Sequence, residues 1–101
     1  MAKTIPLKSV ELVKGGEPAK YAELIRSVAG GLPPGKGAEI EEIRKRTRIL
    51  DALDKAGDEA ESFDLEDADA AHLLQCLKQM QWAIVSPGIV TFHDDIAEAV
   101  K

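Results

Sequence analysis

The sequence predicts a mainly α-helical fold: a compact bundle of about four helices behind an N-terminal extended strand or arm, with one or two further short strands. Apolar residues recur at spacings of three and four in four segments, which is the period of a helix with one buried face. Glycine or proline bounds most of these segments. Aromatic residues make up only 4% of the chain, so the core must rest on Leu, Ile, Val and Ala, which suits packed helices. At 101 residues the chain is one domain by size, with an arm over residues 1–16 and a helical core over 17–101.

The N-terminal segment, residues 4–13, is predicted to be extended. Apolar and polar residues alternate from Ile5, and the alternation continues in the shifted phase from Val10. Such a shift indicates a bulge or two short pieces of strand. Pro6 has no amide hydrogen to donate, so the segment is at best an edge strand or an arm, and it ends at Gly15.

The first helix is predicted from about Pro18 to Ala29, because proline suits a first helical position and two glycines follow the last apolar residue. The second is predicted from about Ala38 to Ala56, with three glutamates in its first turn, where the helix dipole favours anions, and with Gly57 after it. The predicted apolar stripes are Tyr21, Leu24, Ile25 and Val28 in the first helix, and Ile40, Ile43, Thr47, Leu50 and Leu53, widened by Ile49 and Ala52, in the second.

The third helix is predicted from about Leu65 to Gln81, with Asp64 as its N-cap. An acidic loop over residues 58–64 precedes it, with Phe63 turned inward. The core-facing residues of this helix are Ala70, Leu73, Leu74, Leu77 and Met80.

Two interpretations fit the C-terminal region. In the favoured one, residues 82–85 form a short buried strand, and a fourth helix follows with Ser86 as N-cap and Pro87 at its first position. In the other, residues 86–88 are a turn that joins strands over 82–85 and 89–92 into a small wing. The spacing of three and four after Gly88 favours the helix, whose apolar face is Ile89, Phe92, Ile96 and Val100.

These assignments predict a core drawn from all four helices. Its members share helical spacing on their segments: Leu24, Ile25, Val28, Ile43, Leu50, Leu53, Leu73, Leu77, Phe92 and Ile96.

Charge is distributed unevenly along the chain. Residues 1–50 hold ten Lys/Arg and six Asp/Glu, a balance of +4, and residues 51–101 hold three and twelve, a balance of −9, which together give the net charge of −5. The negative total argues against general affinity for nucleic acid. There is one cysteine, no signal-peptide pattern and no long apolar run, so we expect a cytoplasmic protein that does not enter the membrane.

The glycine-rich segment over residues 30–37 imitates a phosphate-binding loop. Gly30, Gly35 and Lys36 match the glycine and lysine positions, but Gly37 stands where the motif needs Ser or Thr for magnesium. Two prolines also remove amide donors from the segment. We therefore interpret it as a linker and expect no ATP binding.

The acidic stretch from Asp54 to Asp69 does not match a calcium loop. Counted from Asp54, position six is Glu59 instead of glycine and position twelve is Leu65 instead of glutamate. A solvated, charged loop is the expected structure.

His72 and Cys76 lie one helical turn apart, but two ligands do not make a zinc site, and His93 is the one further candidate that the sequence offers. Cys76 with His93 and Asp94 would supply the residue types of a nucleophilic triad, although the spacing does not require them to meet. Cys76 is set among hydrophobic residues, which disfavours the thiolate. We therefore predict no enzyme, no cofactor and no metal.

The basic residues Arg44, Lys45, Arg46 and Arg48 lie around the second helix. They could contact phosphate, but no aromatic residue is interleaved for base stacking, and Asp51 and Asp54 follow. A solvated face with short-range ion pairs is the favoured interpretation.

The stretch from Gly37 to Asp95 resembles small uncharacterised proteins of tailed phages and prophages, of the kind found among head and tail morphogenesis genes. The resemblance rests on the order GAEIEEIRKRTRILDAL, an acidic loop, and FDLEDADAAHLLQCLKQMQWAIVSPGIVTFHDDI, a bit over half of the chain. It implies an accessory or assembly role and a location in the cytoplasm or the virion, and it carries over no functional residues.

We therefore predict a non-catalytic protein–protein interaction module, an assembly or accessory structural protein of a phage or prophage. The alternative is a small DNA-binding regulator with a winged-helix-like arrangement, which the acidic second half disfavours. The predicted interaction surface consists of Arg44, Lys45, Arg46, Arg48, Asp58, Glu61, Glu66, Asp67 and Trp82.

The charge split also predicts self-association. If the basic and acidic halves formed opposite faces, copies would attract head to tail and build rings or filaments. The competing expectation is that the two halves neutralise each other within one folded monomer.

Overall fold

The computed structural model describes residues 2–32, 37–57, 59–82 and 85–101. Within them the chain forms four helices and four short strands. The elements are β1 (Ala2–Pro6), β2 (Ser9–Val10), β3 (Ala19–Lys20), α1 (Tyr21–Gly30), α2 (Ile40–Ala56), β4 (Ser62–Glu66), α3 (Asp67–Gln79) and α4 (Pro87–Val100). The mainly helical fold class with short strands is confirmed.

The N-terminal segment does form two short strands, as the phase shift predicts, but it is not a free arm. β1 pairs antiparallel with β4, so that Ile5 lies opposite Phe63, and β2 pairs with β3. Ile5 is fully buried and belongs to the same core as the helices. Of the two interpretations of residues 1–16, arm or edge strand, β1 corresponds to the edge strand, since it pairs with β4 in a two-stranded sheet and closes one side of the core.

Strand β4 replaces part of the predicted acidic loop and the predicted start of the third helix. In its sequence, SFDLE, Phe63 and Leu65 are buried while the intervening residues face solvent. Asp64 is consequently a strand residue that accepts a hydrogen bond from Thr4 Oγ1 at 2.9 Å, and it does not cap α3. The N-cap of α3 is Glu66, which makes no capping hydrogen bond through its side chain.

Helix α1 begins at Tyr21, three residues later than predicted, because Ala19 and Lys20 pair with β2. Its predicted face is confirmed, since Tyr21 and Val28 are each only 1% exposed. Tyr21 packs edge-on against Phe92 of α4, with ring centroids 4.9 Å apart. α1 and α4 are thus joined through the centre of the core.

The buried face of α2 differs from the predicted stripe. Arg46, Ile49 and Leu53 are buried, whereas Ile40 and Ile43 are 61% and 46% exposed. The placement of Ile43 in the core is wrong, and Leu50 is only partly buried against the core. The helix is rotated because it turns the Arg46 side chain toward the last carbonyl groups of α1. The other predicted core residues are buried: Leu24, Ile25, Val28, Leu53, Leu73, Leu77, Phe92 and Ile96.

Helix α4 confirms the favoured interpretation of the C-terminal region. Ser86 caps it by accepting a hydrogen bond from the Gly88 amide, and Pro87 occupies its first position. Residues 89–92 are helical, so the hairpin alternative is wrong and they provide no wing. Of the predicted strand over 82–85, residues 83 and 84 lie outside the described residues, and Trp82 and Val85 are not in a strand.

Gly88 is required by a close approach of two backbone segments. A Cβ atom at this position would collide with the carbonyl oxygen of Glu11. Nearby, Ser86 Oγ donates to the carbonyl oxygen of Leu12 at 2.8 Å. The segment after β2 is thereby fixed to the start of α4.

Candidate functional site

A polar cluster joins α2 to α3. It consists of Glu42 and Arg46, one turn apart on α2, and of His72 and Cys76, one turn apart on α3, and we call it the α2–α3 cluster. Glu42 Oε2 lies 2.7 Å from His72 Nε2 and accepts a hydrogen bond of 2.7 Å from Arg46 Nε. One carboxylate oxygen therefore links two basic side chains from different helices.

Arg46 is held in place by α1 as well. Its Nη1 donates to the carbonyl oxygens of Val28, at 3.0 Å, and of Gly31, at 2.8 Å, with Ala29 at 3.4 Å. These carbonyls at a helix C-terminus have no partner within the helix. Arg46 is 8% exposed, so the structure places it in the interior and not on the predicted interaction surface.

The environment fixes the protonation of the acidic members of this cluster. The hydrogen bond from Arg46, followed by the contact with His72, holds the pKa of Glu42 below its usual value. Burial raises the pKa of the Cys76 thiol. The cluster therefore contains a carboxylate and a protonated thiol at neutral pH, and the thiol is a poor nucleophile.

Glu42, His72 and Cys76 bring three metal-ligating atoms together. One carboxylate oxygen, one imidazole nitrogen and the sulfur all lie within 4.8 Å of one another. The sequence pairs His72 with Cys76 but gives no local signal for Glu42, which is 30 positions from His72. The helical packing of α2 on α3 supplies the third ligand.

The triad considered from the sequence is arranged differently. Cys76 lies beside His72 and Glu42, whereas His93 Nδ1 lies 3.4 Å from Asp94 Oδ1 on the exposed side of α4. The contacts of the described residues thus assign the two histidines to different surroundings.

A pocket of about 290 Å³ opens beside the α2–α3 cluster. Glu42 and Arg46 form part of its wall. The rest of the wall consists of Gln79 at the end of α3, Gln81 after that helix, and Leu32, Gly37 and Ala38. Both charged groups of α2 in the cluster therefore border a space large enough for several water molecules.

A second pocket lies between α3 and α4 and differs in chemistry. It has a volume of about 360 Å³ and is lined by Leu77, Lys78, Met80, Trp82, Ile89, Val90 and His93; we call it the Trp82 groove. Val90 is 59% exposed, and Trp82 is half-buried with its ring edge-on to Phe92. The groove is thus an apolar surface that the described chain leaves open to solvent.

The charged residues of the predicted interaction surface differ in their surroundings. Arg48 donates to Asp69 Oδ1 through Nε and Nη2, each at 3.1 Å, so its charge is used within the chain. Arg44 and Lys45 are exposed on α2, Glu61 precedes β4, Glu66 ends it and Asp67 begins α3. Asp58 lies outside the described residues.

Ion pairs also connect the basic first half with the acidic second half. Arg26 pairs with Asp54, and Lys8 lies 4.0 Å from Asp95. With Arg48 and Asp69, these contacts favour partial neutralisation within one monomer. Asp54, the first position of the calcium-loop count, lies in the last part of α2 and is paired with Arg26.

The glycine-rich segment over residues 30–37, which partly matches a phosphate-binding loop, lies partly outside the described residues. Gly30 is the last residue of α1, and residues 33–36, including Gly35 and Lys36, are not described.

None of the helices in the described ranges combines the length and apolar character needed to cross a bilayer. No family model, curated protein or solved structure matches the chain.

Proposed function

We propose that the protein is a non-catalytic protein–protein interaction module that binds its partner in the Trp82 groove. The observation that carries the proposal is the apolar surface of Met80, Trp82 and Val90, which is open to solvent between α3 and α4. Apolar patches that stay exposed on a folded domain are commonly interaction sites. Tryptophan is among the residue types that contribute most to binding free energy at interfaces.

The proposed occupant is a short segment of another protein with a large apolar side chain next to a carboxylate. The apolar lining fits the first feature, and its volume of about 360 Å³ is within the usual range of binding pockets. Lys78 fits the second, because it lies at the groove and forms no ion pair among the described residues. A carboxylate next to the anchor would pair with its ammonium group.

The resemblance to phage and prophage proteins suggests the biological setting. A small module with one docking groove suits an accessory or assembly protein of a head or tail, located in the cytoplasm or the virion. The partner would then be another morphogenesis protein, and the module would contribute binding without a reaction of its own.

Selection of peptides from a random library on the intact protein tests this proposal. We expect enriched peptides to contain an aromatic or aliphatic residue adjacent to Asp or Glu. Since Trp82 is the single tryptophan of the chain, binding should change its fluorescence. Val90→Glu should weaken binding at least about 10-fold, because a carboxylate would enter the apolar groove and repel the carboxylate of the peptide.

Val13→Glu is the matched control, because Val13 has a similar exposure of 62% and does not line the groove. This variant should bind the selected peptides as the wild type does. Enriched peptides that bind both variants equally, or no enrichment at all, would contradict the proposal. Sedimentation that shows a wild-type dimer dispersed by Val90→Glu would identify a second copy as the occupant and overturn the one proposed.

A further inference from the structure

We propose that Glu42, His72 and Cys76 form a binding site for a divalent transition metal of the zinc class, with the fourth coordination position facing the pocket beside the α2–α3 cluster. The ligand types are those that zinc takes in proteins: thiolate, imidazole and carboxylate. Their donor atoms lie within 4.8 Å of one another in a site formed by two packed helices. The inference is independent of the proposed docking groove.

The geometry needs only a small adjustment to hold the ion. Metal–ligand bonds of about 2.0–2.3 Å in a tetrahedral site place the ligand atoms about 3.3–3.8 Å apart. His72 Nε2 and Glu42 Oε2 are now 2.7 Å apart, so this pair, whose tetrahedral separation is about 3.3 Å, would open by roughly 0.6 Å. The helical spacing of His72 and Cys76, four residues apart on one face, already suits two ligands to the same ion.

Arg46 prepares Glu42 for this role. Its guanidinium group is fixed by backbone carbonyls of α1 at 2.8 and 3.0 Å, which do not depend on the carboxylate. It can therefore keep its hydrogen bond to Glu42 while that carboxylate binds the ion, as outer partners of metal ligands commonly do. Glu42 and the Cys76 thiolate would supply two negative charges against the two positive charges of the ion and the one of Arg46, and the thiol proton would be released to solvent.

The pocket of about 290 Å³ would provide the fourth position on the Glu42 side of the ion. Glu42 lies in its wall, whereas His72 and Cys76 do not line it, so an ion bound to all three would reach the pocket beside the carboxylate. Three protein ligands with water in the remaining position are typical of open zinc sites. The sequence-based expectation of no zinc binding counted two ligands, and the tertiary structure adds a third.

Titration of the whole protein with Co²⁺ tests the site, because cobalt reports its ligands by absorption. Cys76 is the only cysteine, so a thiolate-to-cobalt charge-transfer band can arise only from this residue. We expect that band and visible bands of tetrahedral intensity to saturate at one equivalent and to disappear when Zn²⁺ is added. Zn²⁺ alone should raise the melting temperature, since it binds the folded state.

Three variants and one control assign the ligands. Cys76→Ser should abolish the charge-transfer band, and His72→Gln and Glu42→Gln should each lower cobalt affinity at least about 10-fold. His93→Gln, which removes the other histidine, should bind as the wild type does. Circular dichroism without metal verifies that each variant is folded, and any variant that is unfolded is replaced by the alanine variant at the same position.

Absence of a charge-transfer band when the folded wild type is exposed to millimolar Co²⁺ would overturn the proposal. An unchanged affinity in folded His72→Gln and Glu42→Gln would do the same. In either case the α2–α3 cluster serves only to join the two helices through hydrogen bonds.

Discussion

Helix α3 packs against both α2 and α4, and the two contacts differ in their chemistry. Toward α2 it presents His72 to a part-buried network of Glu42 and Arg46. Toward α4 it presents Leu77 to an apolar contact that opens into the Trp82 groove. The comparison shows that polar groups of α3 lie in the partly buried contact where hydrogen-bond partners meet them, while the apolar groups of the Trp82 groove are open to solvent within the described residues.

The largest effect is expected on the α2 side, from Arg46→Ala. This change leaves the Glu42 carboxylate and the carbonyl groups of Val28 and Gly31 without their donor. Each buried acceptor that loses its donor costs about 1–3 kcal/mol of the free energy of unfolding, and at least two acceptors are affected. Urea denaturation measures this loss, and a value under about 1 kcal/mol would show that water replaces the guanidinium group.

Arg44→Ala is the matched control for that experiment. Arg44 is on the same helix but is exposed. Its removal should change the free energy of unfolding by no more than about 0.5 kcal/mol.

On the α4 side, Leu77→Ala should cost about 2–5 kcal/mol, because Leu77 is only 2% exposed and its removal leaves a cavity. Val90→Ala, on the open part of the same side, should cost less than about 0.5 kcal/mol. Thermal melts of both variants locate the boundary between core and groove. If Leu77→Ala lowered the free energy of unfolding by less than about 0.5 kcal/mol, Leu77 would belong to the groove and not to the core.

Helix α4 also takes part in a part-buried hydrogen bond, between Asp95 and Tyr21 of α1, which Tyr21→Phe removes. The Tyr21 hydroxyl donates to Asp95 Oδ2 at 2.6 Å, and we expect a loss of about 1 kcal/mol at neutral pH. Burial, and then Asp95, raise the pKa of Tyr21 above its usual value of about 10.

This pKa shift sets the direction of the pH dependence. Below about pH 10 the hydroxyl is protonated in both states, and its contribution is complete. Above it the unfolded chain ionises first, so the wild type loses stability relative to Tyr21→Phe as the pH rises. Denaturation series at pH 8 and pH 11 check this, and an equal difference at both values would contradict the shift.

The smallest effect concerns association through surface charge. Arg46 and Arg48 are used within the chain, which leaves Arg44 and Lys45 to meet Glu61 and Glu66 of another copy. Any head-to-tail association should therefore be weak and should disappear above physiological salt, where charges are screened within about 8 Å. Light scattering at low and high salt measures it, and a monomer under both conditions at high protein concentration excludes self-assembly.

Local patterns determined much of the fold. The spacing of Tyr21, Leu24 and Val28 and of Ile89, Phe92 and Ile96 correctly predicts the buried faces of α1 and α4, because the residues that these two faces bury are mostly apolar or aromatic. The Ser86–Pro87 pair correctly predicts the start of α4, since capping depends on neighbouring residues.

Contacts between distant residues decided the rest. The strand β4 was missed because its acidic residues conceal the alternation of Phe63 and Leu65, which becomes useful only when β1 lies alongside. The rotation of α2 was missed because a periodicity analysis treats arginine as a surface residue, whereas the carbonyl ends of α1 make Arg46 favourable in the interior.

The sequence by itself determined which types of side chain are available for the candidate sites. The tertiary structure decided which of these side chains lie close together. The spacing in the sequence already places His72 and Cys76 on one helix face. For Trp82 the sequence predicts only membership of an interaction surface, and the structure adds that this residue lines a groove. Glu42 joins His72 and Cys76 only because α2 packs on α3, a contact 30 residues apart in the chain. Such contacts depend on the whole core, since the orientation of each helix is the one that buries its apolar side chains and pairs its polar ones at the same time.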